Sequence, residues 1–306
     1  MSERQKMSLA AVTRGKVKRP QKVVLYGTEG VGKSTWAGDA PSPIFIPTED
    51  GSDHLDVARF PRVETWGEML DALDALRGEH TYRTAVLDTL DGLEPIVWAR
   101  TCATKLNGDK RVSSIEDYGY GKGYIHALDV WSAMLARLDA LVSRGMSVVL
   151  LSHAGLATIK SPDTEDFQQW DLKIHQKASA LVREWADHVL FATTSVGMAQ
   201  MNKRMKVTSI GDRVLHTCSA PGWKAKTRSA APAELPLSWN EWEAALASES
   251  TDAVLARIES MLPHVHESKR AAVDAAIEKA RASSDQLAAL TTVANRISAT
   301  IAKEAA

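Results

Sequence analysis

The sequence predicts an α/β fold: a mainly parallel central sheet with an antiparallel extension, followed by a small C-terminal helical segment. Short apolar runs of strand length alternate with segments of helical periodicity over the first two thirds of the chain, which is typical of a parallel sheet covered by helices. Three further strands are then predicted at His188–Ala192, Met205–Ser209 and Val214–Cys218, and they favour an antiparallel meander.

The composition limits the classes of protein that the chain can represent. It has 306 residues, a formal net charge of -1 and two cysteines, Cys102 and Cys218. This charge excludes a global polycation, so any nucleic-acid contact requires a local basic patch. The cysteines have neither disulfide-framework nor zinc-site spacing, which favours a reducing compartment. No apolar run approaches the roughly 20 residues of a membrane span, so we expect a cytoplasmic protein that does not contact membranes.

Three segments are expected along the chain: a flexible basic leader over residues 1–20, one large domain over 21–247 and a helical segment over 251–306. The leader is interpreted either as a solvated tail or as an arm that touches DNA phosphates or a neighbouring subunit. Helices are predicted at 252–262, 267–282 and 285–303. Because so short a segment has little core of its own, we expect it to dock, to pair with a second subunit or to be loosely tethered.

A glycine-rich turn between a predicted strand and a predicted helix is the most specific motif in the chain. Its residues match G-x-x-x-x-G-K-[ST], the phosphate-binding P-loop or Walker A motif. The candidate nucleotide-binding residues are Gly27, Thr28, Glu29, Gly30, Val31, Gly32, Lys33, Ser34 and Thr35. The glycines leave room for phosphate oxygens and permit positive φ, while backbone N–H groups converge on the phosphates. The motif predicts that Lys33 reaches the β- and γ-phosphates of ATP and that the Ser34 hydroxyl ligates Mg²⁺.

Polar residues end three of the predicted strands. An apolar run ends in Asp88, the Walker B pattern, and we expect this carboxylate to hold Mg²⁺ through water. The strand before it leads into Glu49, and the strand after it ends in His153. Sheets of this type place their chemistry at the carboxyl ends of strands, so both residues are candidates for the site. For His153 two interpretations remain: sensing of the γ-phosphate or a hydrogen bond to local backbone.

An alternation of tyrosine and glycine with one lysine occupies residues 118–124. The candidate DNA-binding residues there are Tyr118, Tyr120, Lys122 and Tyr124. Aromatic rings on a flexible backbone can stack on bases while a lysine meets a phosphate, and the alternative is a helix entry with packed tyrosines. Lys160 is a further candidate in a predicted polar loop over 154–171. Acids at 163, 165 and 166 make that loop a poor electrostatic match for DNA.

The order of these motifs resembles that of RecA-type ATPases, and most closely that of short RecA-like ATPases encoded by phages. Those are AAA-domain nucleotide-binding proteins linked to single-strand annealing and recombination, and the resemblance covers roughly residues 20–245. It implies ATP and Mg²⁺ as ligands, DNA-stimulated hydrolysis, and single-stranded DNA as the partner. It further implies a homo-oligomer with nucleotide at the subunit interfaces, a single-strand-binding protein as a further partner, and the host cytoplasm as the location of a phage-encoded chain.

The resemblance also implies roles for individual residues. Glu49 takes the position of the glutamate that polarises the attacking water, with Asp50 as its nearest competitor. Since Thr89 follows Asp88, the Asp-Glu pair of many other AAA-type enzymes is missing, and this favours Glu49 as the base. His153 takes the position of the polar residue that ends the sensor strand.

Three cations after the last predicted strand form another candidate group. Lys224, Lys226 and Arg228 would share one side of an extended segment. In RecA-like assemblies such cations reach the γ-phosphate of a neighbouring subunit, so the resemblance implies a role in trans. The alternative is a solvated basic strand end.

One departure from RecA itself concerns the beginning of the chain. RecA has an N-terminal helix and strand that link subunits, whereas here a short basic leader precedes the core.

The P-loop is compatible with two other functions. A second hypothesis, from a different class, is a nucleotide-dependent binding switch for DNA or a protein, with little hydrolysis. A third is a small-molecule P-loop kinase, for which the sequence offers no clear arginine-rich lid.

Overall fold

The computed structural model describes residues 12, 19–160, 165–201, 204–229, 231–247, 251–283 and 286–304. The strands are β1 (Lys22–Gly27), β2 (Pro43–Pro47), β3 (Ala58–Arg59), β4 (Thr84–Asp88), β5 (Ser147–Ile159), β6 (Phe167–Leu172), β7 (His188–Met201), β8 (Arg204–His216) and β9 (Glu234–Pro236). The helices are α1 (Lys33–Gly38), α2 (Trp66–Ala75), α3 (Leu90–Thr104), α4 (Lys122–Ser143), α5 (Gln176–Trp185), α6 (Trp239–Ala247), α7 (Thr251–Met261), α8 (Glu267–Arg281) and α9 (Gln286–Glu304).

The chain divides into two compact units. The first comprises the stretch up to Val24, Ala40–His153 and Leu172–Ala186. The second comprises Leu25–Asp39, Ala154–Asp171 and the chain from Asp187 onward. Strand β1 therefore contributes its first half to one unit and its second half to the other.

The first unit is built on parallel strands in the order β3-β2-β4-β5, with the start of β1 next to β5. Every residue of β4 is buried, because a parallel strand covered on both faces reads as a continuous apolar run. The register pairs Pro47 with Asp88 and Asp88 with Leu151. The carboxyl ends of β2 and β4 therefore lie level with Leu151 of β5, two residues before His153, and β5 continues beyond them to Ile159.

The second unit is built on the antiparallel extension. Its strands follow the order β1-β7-β8-β9, with antiparallel pairing from β7 to β9. Two predicted strands, Met205–Ser209 and Val214–Cys218, are one strand, β8, and that division was wrong. The residues between them include Gly211, whose missing side chain leaves space for Ser195: a Cβ there would lie 2.3 Å from the serine Oγ. Of the predicted turn at Asn202-Lys203-Arg204, Arg204 begins β8, and the other two residues lie outside the described part of the chain.

The prediction of a polar loop over 154–171 was also wrong. Strand β5 continues to Ile159 and pairs with β6, so much of this stretch forms a β-hairpin. Its outer part alternates between exposed and half-buried residues, and Leu156 and Phe167 are exposed. Without one buried apolar face, the stretch shows no hydrophobic period to mark it as a strand.

Helices α7, α8 and α9 bury an apolar cluster of their own. The buried members are Val254, Ile258, Val265, Ile277, Ala280, Leu290, Ala294 and Ile297. The segment therefore has a core despite its short length. No helix among the described residues combines the length and the apolar character needed to cross a membrane.

Candidate functional site

The P-loop backbone takes the conformation that its glycines permit. Gly30 and Gly32 have φ of 72° and 104°, a region that residues with a side chain rarely occupy. Gly27 has a structural constraint in addition to the phosphate room predicted from the sequence. A Cβ on Gly27 would lie 2.3 Å from the carbonyl oxygen of Ala192 in β7, so the close approach of two strands excludes any side chain.

Lys33 lies folded back on the loop that precedes it. Its side chain is buried, and Nζ donates to the carbonyl oxygens of Gly27 and Thr28, each at 3.1 Å. A buried ammonium is costly unless it is well paired, and phosphate oxygens carry more negative charge than carbonyls. The glycine conformations and this buried cation fit a bound phosphate chain.

Thr48 fixes the edge of the sheet in the first unit. Its Oγ1 donates to the carbonyl of Thr89 and accepts from the N–H of Thr89, both at 2.8 Å. Gly92 packs against it, and a Cβ there would lie 2.4 Å from Oγ1. The end of β2 is thereby joined to the beginning of α3, and this sets Glu49 relative to the first turn of that helix.

The first turn of α3 carries a carboxylate that sequence reasoning missed. Asp91 Oδ2 lies 2.6 Å from His153 Nδ1, and Asp91 Oδ1 accepts from the backbone N–H of His153 at 2.8 Å. Glu49 completes the group, since ligand atoms of all three residues lie within 4.8 Å of one another. The sequence did contain one signal for Asp91. Thr89 is a typical N-cap residue and caps α3 through its side chain. A cap directly after the end of β4 places Asp91 in the first turn of a helix at the edge of the sheet.

The ring of His153 is therefore oriented through Nδ1 by a carboxylate from another element. A carboxylate can only accept, so Nδ1 carries the proton in this hydrogen bond. Fixing one ring nitrogen also fixes the direction of the other, which is how histidines are held for binding or proton transfer.

The two carboxyl groups of this cluster differ in electrostatic character. Burial alone would raise the pKa of Asp91, but hydrogen bonds from the ring and backbone of His153 outweigh it and hold the pKa at about 2. Burial raises the pKa of Glu49, and the nearby Asp91 carboxylate raises it further. Asp91 is thus a permanent anion, whereas Glu49 has gained affinity for a proton. Two neighbouring acids whose pKa values are shifted in opposite directions are typical of sites in which the acids have different chemical roles.

A second buried acid lies one turn further along α3. Glu94 Oε1 accepts from the backbone N–H of His175 at 2.8 Å. Burial raises the pKa of Glu94 to about 7, against the lowering effect of that hydrogen bond. The ring of His175 stacks on Tyr124 with centroids 3.9 Å apart. Two acids of one helix thus bind residues that precede and follow the 154–171 segment.

The four DNA-binding candidates near residue 120 lie in different environments. Tyr118 is buried, and its hydroxyl donates to the carbonyls of Thr101 and Lys105, so it belongs to the core. Tyr124 is half-buried, and its hydroxyl donates to Glu116. Tyr120 and Lys122 are exposed. Only these last two present their side chains fully to solvent.

The three basic candidates of the second unit have partners in their own chain. Lys224 Nζ lies 2.7 Å from Asp171 Oδ2, and an Arg228 nitrogen lies 3.0 Å from Asp187 Oδ1; both acids are buried. Lys226 forms backbone hydrogen bonds with Val189 in β7. Action of these cations in trans stays a prediction, and it would require the ion pairs to open.

Comparison with known proteins identifies the family. A family model described as an AAA domain matches residues 19–229, more than half of the chain. The chain belongs to the AAA domain family. This match and the observed sheet confirm the predicted α/β fold with a mainly parallel central sheet and the predicted AAA-domain P-loop protein.

Individual relatives are distant. The SPbeta prophage-derived uncharacterized protein YorG of Bacillus subtilis (strain 168) is 20% identical over 137 residues, which are 43% of this chain and 40% of YorG. The chain therefore spans about two fifths of the length of that relative. The crystal structure of the RadB recombinase aligns with a TM-score of 0.37 and 12% identity, covering 65% of this chain and 80% of RadB.

Removing the carboxylate of Asp91 should release the ring of His153. In Asp91→Asn we expect the proton to redistribute between Nδ1 and Nε2, because the amide no longer requires a donor at Nδ1. Long-range ¹H–¹⁵N NMR of the imidazole measures the tautomer directly. Asp109→Asn, a change of an exposed acid, is the control. A fixed Nδ1–H tautomer in Asp91→Asn would show that something else orients the ring.

Glu94→Gln should make stability less dependent on pH. The pKa of Glu94 is about 7 in the folded state against 4.5 ordinarily, so folded chains hold a proton that unfolded chains lose between these values, and stability falls as pH rises. Glutamine keeps an acceptor for His175 and never ionises. We expect a gain of about 1–3 kcal/mol at pH 8, allowing for solvent screening, and a smaller one at pH 5.

Thermal unfolding at both pH values measures this difference. Glu241→Gln, at an exposed position of α6, is the matched control and should change neither midpoint. An equal effect of Glu94→Gln at the two pH values would contradict the elevated pKa.

Proposed function

We propose that this chain is a Mg²⁺-dependent ATPase that acts on single-stranded DNA in recombination or strand annealing. The observation that carries the hydrolytic part is the Glu49–Asp91–His153 cluster, in which Glu49 has a raised pKa beside an acid that stays charged. A P-loop accounts for nucleotide binding alone, whereas hydrolysis needs a group that orients water and accepts its proton.

The ligand set suits ATP and Mg²⁺. Backbone N–H groups of the P-loop and the ammonium of Lys33 would hold the phosphates. Ser34 and Asp88 offer a hydroxyl and a carboxylate, the hard oxygen ligands that Mg²⁺ prefers. When bound, Mg²⁺ neutralises charge on the phosphate oxygens.

Each residue of the Glu49–Asp91–His153 cluster would have a different role in hydrolysis. Glu49 orients the attacking water and accepts its proton, and its raised pKa brings it closer to the pH at which the protein works. Asp91 keeps its charge and positions His153, which is suited to meet a phosphate oxygen. Asp50 is a weaker candidate for the base, because it is exposed and forms a 2.7 Å ion pair with Arg62.

The DNA part of the proposal is supported by exposed groups. Tyr120 and Lys122 combine an aromatic ring and a cation at the beginning of α4. Lys160 is exposed beyond the end of β5, and Leu156 and Phe167 expose apolar surface on the same hairpin. Rings and cations on exposed segments are the groups that bind single strands. Assembly into a homo-oligomer, contact with a single-strand-binding protein and a host-cytoplasmic location belong to the same proposal.

One observation favours a second candidate, the nucleotide-dependent switch. Arg228 and Lys224 are tied to acids of their own chain. A chain whose γ-phosphate receives no cation from a neighbour would hydrolyse slowly, since such a cation contributes a factor of about 10³–10⁵. Binding to DNA or a protein would then depend on which nucleotide is bound.

Glu49→Gln should separate binding from hydrolysis. The amide keeps the shape of the side chain but accepts no proton, so ATP affinity should persist while turnover falls about 10²–10⁴-fold. Asp50→Asn is the matched control and should retain turnover. Both are measured by steady-state phosphate release and by equilibrium ATP binding. Turnover that survives Glu49→Gln would remove Glu49 as the base, and a wild-type chain that binds ATP without turnover would favour the switch.

Single-stranded DNA should stimulate ATP hydrolysis more than double-stranded DNA at fixed salt. The combined variant Tyr120→Ala and Lys122→Ala should bind single strands about 5–100-fold more weakly, through loss of one stacked base and one phosphate contact. Lys279→Ala, an exposed lysine on α8, serves as the control. Turnover indifferent to DNA would contradict the proposed partner and leave the ATPase assignment standing.

A further inference from the structure

A side chain from β8 lies directly against the P-loop. If Gly32 carried a Cβ, that atom would lie 3.0 Å from Nη1 of Arg213, and the next contact would be Leu237 Cδ2 at 3.8 Å. Gly32 immediately precedes Lys33 and the first turn of α1. A guanidinium group therefore occupies the space that a side chain at position 32 would fill.

The position of Arg213 is set by the strands around it. It pairs with Thr194 of β7, and its carbonyl accepts from the N–H of Leu237 at 3.0 Å. Strand β7 is the same strand whose Ala192 carbonyl lies against Gly27. The antiparallel extension thus contacts the P-loop near both of its ends, and it presents Arg213 from a paired strand and not from a loose loop. Groups on paired strands are held more accurately than groups on loops.

The charge of Arg213 is not used within the part of the chain that the structure describes. No hydrogen bond or ion pair joins its guanidinium to a described residue, in contrast with Lys224 and Arg228, and the side chain is exposed. Its planar group presents five N–H donors in a geometry that matches phosphate. Arg213 brings a second positive charge to the P-loop that carries Lys33. Two cations beside one loop repel each other until an anion binds between them, so the arrangement favours a phosphorylated ligand.

We infer that Arg213 binds a phosphate of the nucleotide held by the P-loop of its own chain. This rests on the proposed function, since it requires that the P-loop binds a nucleoside di- or triphosphate. It adds a contact in cis, distinct from the cations expected to act in trans. It also gives Gly32 a second role, because any side chain there would displace the guanidinium.

Equilibrium binding of fluorescent ADP and ATP analogues, with Mg²⁺, tests this inference without requiring turnover. Arg213→Ala should bind both nucleotides about 10–100-fold more weakly, the effect of losing charge-assisted hydrogen bonds. Arg213→Lys should recover part of the loss, because a lysine keeps the charge but not the fork of donors. Arg144→Ala, an exposed arginine at the end of α4, should bind as the wild type does.

Lys33→Ala distinguishes an error in the proposed function from an error in the role of Arg213. If Lys33→Ala binds nucleotide like the wild type, the proposed function is wrong, whatever Arg213→Ala does. If Lys33→Ala fails to bind and Arg213→Ala binds normally, only the inference about Arg213 is overturned. Arg213→Gln, which keeps a polar side chain of similar reach, replaces Arg213→Ala should the alanine variant unfold.

Dilution distinguishes action in cis from action in trans. Binding is repeated at concentrations where sedimentation shows a single chain. A deficit of Arg213→Ala that persists in the monomer supports contact within one chain. A deficit that disappears on dilution would contradict it and place Arg213 at a subunit interface.

Discussion

The paired hydrogen bonds between Asp91 and His153 are the interaction on which the site of the first unit depends. They join the beginning of α3 to the middle of β5, and they stabilise a half-buried carboxylate that burial alone would push toward protonation. Because Asp91 stays charged, it raises the proton affinity of Glu49. One contact thus orients an imidazole, holds one acid ionised and tunes another. The parallel register of β2, β4 and β5 makes this possible, since it places the ends of β2 and β4 level with Leu151, close in sequence to His153.

In the second unit, backbone proximity is the constraint that matters most. Strand β7 approaches Gly27 so closely that no side chain fits, and β8 presents a guanidinium to Gly32. A motif usually explained by its ligand is therefore also constrained by its neighbours. The P-loop and the antiparallel extension fit together, and a substitution in either would disturb the other.

The sequence alone was sufficient to predict the features that have a strong local pattern. Continuous apolar runs identified the parallel strands, glycine spacing identified the P-loop, and the predicted strand ends led to Glu49 and His153, which lie close together in the structure. Asp91 was missed because it lies in a helix, where an acid in the first turn is ordinary. The 154–171 hairpin was missed because neither of its faces is consistently apolar. The burial of Tyr118 and the ion pairs of Lys224 and Arg228 depend on residues distant in sequence, which a local pattern does not reveal.

Helix α3 has a consequence for the segment between His153 and His175. Asp91 holds the residue at which this segment departs, and Glu94, one turn later, holds the residue near which it returns. The two anchoring acids are therefore only three residues apart on one helix, about 4.5 Å along its axis. When both ends of a segment are fixed, lengthening its middle adds only a small entropic cost of closing the segment. The stretch between β5 and β6 is thus a place where residues can be added or replaced while the geometry of the anchors is preserved.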